Sequence, residues 1–244
     1  MMSFISYFIN GLSLGSVYAI IALGYTMVYG IAKMLNFAHG DVIMIGGYVV
    51  FTVVSTMGLP PAVGILLAVI ICTVLGVTIE KVAYRPLRMA SPLAVLITAI
   101  GVSYLLQNIA LLVFGSNPKS FTSVVTIPAL KLAGGRLTIS GETLVTIVSC
   151  IVIMIVLTTF IKKTRAGQAM LAVSEDKGAA QLMGINVDGT IALTFAIGSA
   201  LAAIAGTLLC SAYPTLTPYT GSMPGIKAFV AAVFGGIGSI PGAF

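Results

Sequence analysis

Charge is what this chain most lacks. Of its 244 residues only 7% are Asp, Glu, Lys or Arg, whereas 59% are hydrophobic, and the mean hydropathy is +1.14. A typical soluble domain is about 25% charged. A water-soluble domain of this length has too little interior to hide so much apolar surface, so that class is excluded and a lipid solvent is implied. Tryptophan is absent, and histidine occurs once, at His39. Metal sites usually collect three or four ligands, so one histidine with two acids nearby in sequence makes none. No Ser–His–acid arrangement stands out, which leaves no catalytic residue to name. Cys72, Cys150 and Cys210 lie in apolar runs, at spacings that match no metal or redox motif. They read as small buried hydrophobes. The pattern G-x-x-x-x-G-K-[ST] is also missing, so the chain does not bind ATP by that route. The net charge of +6 does not point to nucleic acid, because the basic residues sit in short loops, where they report membrane orientation.

What is present is apolar length. A helix needs about 20 apolar residues to cross roughly 30 Å of hydrocarbon. By that rule the chain holds six complete spans, near 11–32, 41–57, 61–79, 92–114, 143–161 and 190–212, and part of a seventh from 225 onward. Residues 1–10 extend the first span or lie at the interface. They lack the basic start of a cleaved signal peptide and are expected to be retained. The fold class is therefore all-α, a polytopic transmembrane bundle forming one domain over 1–244. Small-xxx-small spacings at Gly11–Gly15, Ser199–Ala203 and Ala202–Gly206 fit close helix packing.

Orientation follows from the loops. Lys81, Arg85 and Arg88 share one loop, and Lys162, Lys163, Arg165 and Lys177 share another, two spans away. The positive-inside rule puts both in the cytoplasm, with Lys33 inside and the N-terminus, 115–142 and 213–224 outside. In the outer loop, apolar–polar alternation on either side of Gly134-Gly135 is a β-hairpin signal. Such a hairpin either meets a partner protein or simply ties two helices together.

The inner loop 162–189 is too long for a bare turn. Ser174 is a suitable N-cap, Glu175 and Asp176 suit the positive end of a helix, and Ala179, Ala180, Gln181, Leu182 and Met183 are mostly strong helix formers. Gly184 suits a left-handed stop, with Ile185 closing the cap. The expectation is a short helix over 175–183, with Asn186 or Asp188 capping the next span. So short a helix needs packing. It lies either against its own bundle and the headgroups or in a groove on a separate protein.

Asn36, His39 and Asp41 form a polar segment between the first two spans. The expectation is an interfacial turn with Asp41 capping the second span; the alternative is a segment that re-enters the membrane. Asn36, His39, Gln107 and Asn108 are the candidates for a substrate pathway. Gly235 to Gly242 reads as a broken helix or tight turn, not a nucleotide loop. Glu142, Lys162 and Lys227 fall at span ends. Charges within spans 4 to 7 are scarce, which argues against a self-powered ion-coupled transporter.

Four strings carry a family resemblance: GSVYAIIALGYTMVYGIAKMLNFAHGDVIMIGGY (15–48), EKVAYRPLR (80–88), AVSEDKGAAQLMGINVDGTIALTFAIGSALAAIAG (172–206) and GIKAFVAAVFGGIGSIPGA (225–243). The chain resembles the permeases of branched-chain amino-acid ABC importers, H-type subunit, over nearly its whole length. The resemblance implies a second homologous permease subunit, two cytoplasmic ATPase subunits that bind ATP and Mg, and a periplasmic binding protein that delivers leucine, isoleucine or valine. This chain itself would carry no cofactor. The resemblance also implies that 162–189 is a cytoplasmic coupling loop docking on an ATPase, with Ser174, Glu175, Asp176, Ala179, Ala180 and Gly184 as its coupling element. Family members usually continue past the Gly-rich segment, so a C-terminal truncation within the seventh span is expected. A sugar permease of the same class and a stand-alone transporter or channel are the alternative functions.

Overall fold

A computed structural model describes residues 2–132, 137–236, 238 and 242. Among these residues six helices are long and apolar enough to cross a membrane, as the hydropathy requires. Helix α1 (Met2–Ala32) is followed by α2 (His39–Phe51), which runs on through a π-helical turn, Thr52–Thr56. Helix α3 (Pro61–Ile79) likewise continues through Glu80–Tyr84. Helix α4 (Pro92–Phe114) starts where sequence rules place a start: Ser91 accepts from the Ala94 amide, and Pro92 takes the first turn. It stops at Gly115, which has the positive φ of 79° that glycine allows. Ser140 caps α5 (Gly141–Lys163). Helices α6 (Arg165–Glu175) and α7 (Lys177–Leu182) make up the basic loop, and α8 (Val187–Ala212) is the sixth span. The seventh apolar segment forms α9 (Ser222–Phe234), which at 13 residues is shorter than a span.

The helices form an inner and an outer group. Helices α1, α2 and α8 are the inner ones, 61–72% buried over their apolar windows; α3, α4 and α5 are only 22–28% buried and expose rows of Leu, Ile and Val. Small residues set the inner packing. A Cβ on Gly46 would meet the Ala203 Cα at 2.9 Å, and one on Gly76 would collide with Ser199. The Ser199–Ala203 and Ala202–Gly206 spacings are thus used within the chain. Among the described residues nothing lies within 4 Å of a Cβ on Gly11 or Gly15.

At the end of the bundle opposite the basic loops, β1 (Lys119–Ser120) pairs antiparallel with β4 (Thr215–Leu216). The hairpin strands β2 (Leu130–Leu132) and β3 (Leu137–Ile139) pair antiparallel with Leu132 opposite Leu137. The Gly134-Gly135 turn between them lies outside the described residues.

The polar segment departs from expectation. It is not an interfacial turn: Asn36, His39 and Asp41 are buried. After Ala32 the chain turns back along α1, so that His39 packs on Gly24, where a Cβ would strike its ring. Gly24 lies about 12 Å up α1 from the Ala32 end, at 1.5 Å per residue. Helix α2 therefore starts inside the bundle and runs away from the basic end, and α1 keeps its direction. Asp41 does not cap it; Ala38 holds the cap position without a side-chain bond. Glycine is the cause. The Gly40 and Gly221 backbones touch, and a Cβ on Gly221 would overlap the Gly40 carbonyl. The start of α9 is thus pressed onto the start of α2.

Candidate functional site: a polar chamber between two helix starts

Where α2 and α9 begin, a cavity of ≈280 Å³ opens between them and α4. This is near the small end of ligand pockets, roughly 300–1,000 Å³. Asp41, Gln107, Ser103 and Ser222 form its polar side. Gln107 Nε2 donates to Asp41 Oδ1 at 2.9 Å and lies 3.3 Å from both the Ser103 and Ser222 hydroxyls. Phe37, Ile100, Tyr104 and Ile226 add apolar surface to the lining, and Tyr25 also borders it. A carboxylate inside a membrane bundle is costly, and such groups are usually functional. Two helix N-termini also bring partial positive charge to the chamber.

The four pathway candidates have separate places. Gln107 lines the chamber. Asn36 lies below it, accepting from the Tyr84 hydroxyl at 3.1 Å. His39 packs behind the wall, its ring centroid 4.6 Å from that of Tyr25. Asn108 is exposed and donates to its own helix at Tyr104 O, 2.7 Å away. Sequence reasoning missed Tyr25, Ser103 and Ser222. Ser103 and Gln107 carried a usable signal, since i and i+4 share a helix face. Ser222 carried none, because its place depends on a contact between distant glycines. Lys227 also differs from expectation: it is within α9, not at a span end, with its ammonium 5.9 Å from the Tyr18 ring centroid.

The basic loop is two helices, not one over 175–183. Thr164 begins α6, accepting from the Gly167 amide at 3.0 Å, and Gly167, Met170 and Val173 point inward. Ser174 is not a cap: its hydroxyl donates to Leu171 O. Glu175 ends α6, and Asp176 caps α7 by accepting from the Gly178 and Ala179 amides at 2.7 and 3.0 Å. Gly184, at φ 83°, ends α7 in a Schellman motif, with Ile185 N bonded to Ala180 O and Gly184 N to Gln181 O. Ala180 is buried and Ala179 exposed. Leu182 and Met183, which the coupling set omitted, are 90% and 82% exposed. Asn186 caps α8, while Asp188 pairs with Arg85 and Arg88, and Arg88 also with Glu80. Lys177 Nζ donates to Ala32 O at 3.0 Å, joining α7 to the end of α1. Lys33 and both basic loops therefore meet at one end of the bundle.

Six apolar spans, with a small polar chamber among four of the helices and a capped two-helix loop at the basic end, define a multi-pass membrane protein. The chain belongs to the family described as branched-chain amino acid transport system / permease component, whose model matches residues 7–244. The high-affinity branched-chain amino acid transport system permease protein LivH of Salmonella typhimurium is 46% identical, over 98% of this chain and 81% of that protein. The corresponding permease protein BraD of Pseudomonas aeruginosa is 46% identical, over 96% of this chain and 80% of its own length. A probable branched-chain amino acid transport permease of Methanocaldococcus jannaschii is 29% identical, over 92% and 71%. No solved structure matches the chain.

Proposed function

We propose that this chain is the inner-membrane permease subunit of an ATP-driven importer of leucine, isoleucine and valine. Family membership and the named relatives support this reading. The observation that carries the substrate class is the chamber's mixed lining, polar at Asp41 and Gln107 and apolar at Ile100, Tyr104 and Ile226. A zwitterion with a branched aliphatic side chain needs both kinds of surface. Its ammonium meets the Asp41 carboxylate, its carboxylate lies toward the positive ends of α2 and α9, and its side chain meets the apolar lining. A sugar would find no hydrogen bonds for its hydroxyls at the apolar lining.

The remaining machine is assigned by the same reading. Two ATPase subunits bind ATP and Mg, and α7 docks on one of them at Leu182 and Met183, supported around the tip by Glu175, Asp176 and Ala179. Ala180 packs α7 onto its own bundle. Movement of α7 passes through the Lys177–Ala32 bond to α1, which carries Tyr25 into the chamber wall. A second homologous permease covers the open side of the chamber, and a periplasmic binding protein delivers substrate.

Asp41→Asn in the assembled transporter tests the chamber. Removing a charge that pairs with the substrate ammonium is expected to lower uptake of radiolabelled leucine at least tenfold, with ATPase copurification unchanged. Unchanged uptake would remove the chamber from the pathway.

A further inference from the structure

The basic end holds a second cavity, ≈350 Å³, which the proposed translocation route leaves without a role. It lies between the end of α1, the residues that follow it, the start of α4 and α7. Its lining includes Lys33, Arg88 and Lys177 and, among the described residues, no carboxylate. The acids that meet Arg88 are Glu80 and Asp188, and Asp188 is shared with Arg85. Arg88 Nε is buried without a hydrogen-bond partner among the described residues. Burial, with Arg88 and Lys33 nearby, pushes the Lys177 ammonium below its ordinary pKa. Lys33 itself is held in the left-handed region, at φ 58°. Lys33 and Lys177 thus crowd one space beside the paired Arg88, and an anion between them would relieve the crowding. The rest of the wall is apolar: Met34, Leu87, Val95 and Leu96. A free phosphate would use the cations alone. A phospholipid uses both halves.

We propose that this cavity binds an anionic phospholipid, with the phosphate among Lys33, Arg88 and Lys177 and the glycerol and first methylenes against Val95, Leu96 and Met34. Its place at the basic end sets it in the cytoplasmic leaflet, where anionic headgroups attract basic segments. The bound lipid bridges α1, α4 and α7, and the site does not depend on which solute is carried.

The test uses the full chain in its assembled transporter, reconstituted in phosphatidylcholine vesicles with and without phosphatidylglycerol. Native mass spectrometry counts the phosphatidylglycerol retained after extraction. The wild type is expected to keep one molecule per chain. The Lys33→Gln/Lys177→Gln variant is expected to keep at least tenfold less, while Lys162→Gln/Lys163→Gln, at the end of α5, keeps as much as wild type. Because Lys177 also braces α1, Lys33→Gln alone is measured in parallel; it leaves that bond in place, and about threefold lower retention is expected. Equal retention by wild type and both Lys33 variants would overturn the proposal. Displacement of the lipid by excess inorganic phosphate would overturn the lipid assignment in favour of a free-anion site.

Discussion

The residues that shape the chamber most are glycines. Gly40 and Gly221 bring two backbones into contact 181 positions apart in the chain, and neither site has space for a methyl group. Overpacking of this kind costs typically about 1–3 kcal/mol. Gly221→Ala is expected to lower the thermal unfolding midpoint of the purified transporter and to reduce leucine uptake, because the chamber's polar side depends on that contact. Gly101→Ala in α4, where a Cβ meets nothing within 4 Å, is expected to stay within about 0.5 kcal/mol of wild type. An equal loss in both variants would mean that the Gly40–Gly221 contact is not what orders the site. The same contact explains what was legible. Asn36, His39 and Asp41 stand out in a sequence so poor in charge, so they could be singled out directly. Their burial could not, because it rests on Gly24, Gly221 and Gly225, which resemble every other glycine of an apolar chain.

Among the elements, the spans were readable and the loop only partly so. Expected and observed boundaries agree closely for α4 and for the start of α3, because Ser91, Pro92, Gly115 and Pro61 act through their own backbone chemistry. In the basic loop Ser174 and Asp176 are both cap formers two residues apart. The choice went to Asp176 because Thr164 starts α6 early and Gly167, Met170 and Val173 hold that helix on the bundle through Glu175. Helix α7 is left as a short, doubly capped projection with Leu182 and Met183 at its tip. Two exposed apolar side chains on so small a charged-edge element suit burial in a partner groove. Leu182→Glu is expected to reduce copurification of the ATPase subunits at least tenfold, with normal amounts of permease in the membrane, since a carboxylate in an apolar contact must be desolvated without a partner. Full copurification would place the docking surface elsewhere on the loop.

For the whole molecule, the open side of the chamber matters most. Ile100, Tyr104 and Ile226 line it and are 42%, 62% and 53% exposed on this chain alone. If lipid covered that side, Asp41 and Gln107 would face hydrocarbon, where polar groups cost several kcal/mol each. A protein surface that closes the chamber and shares a water-filled path avoids that cost. Helix α5 also exposes apolar residues, Ile155 at 55% and Val156 at 61%, but none of them lines the chamber. Hydropathy cannot separate these two faces, because lipid and a protein partner select the same apolar residues; the chamber beneath one of them does. All three native cysteines are buried, so introduced thiols report with little background. Ile226→Cys is expected to cross-link to a cysteine series on the proposed second permease subunit with a short bifunctional reagent, and the yield is expected to change when the proposed ATPase partners are trapped with a nucleotide analogue. Ile155→Cys is expected to remain uncross-linked. The reverse pattern would put α5 at the subunit boundary and leave the chamber opening to lipid, where a zwitterion could not pass.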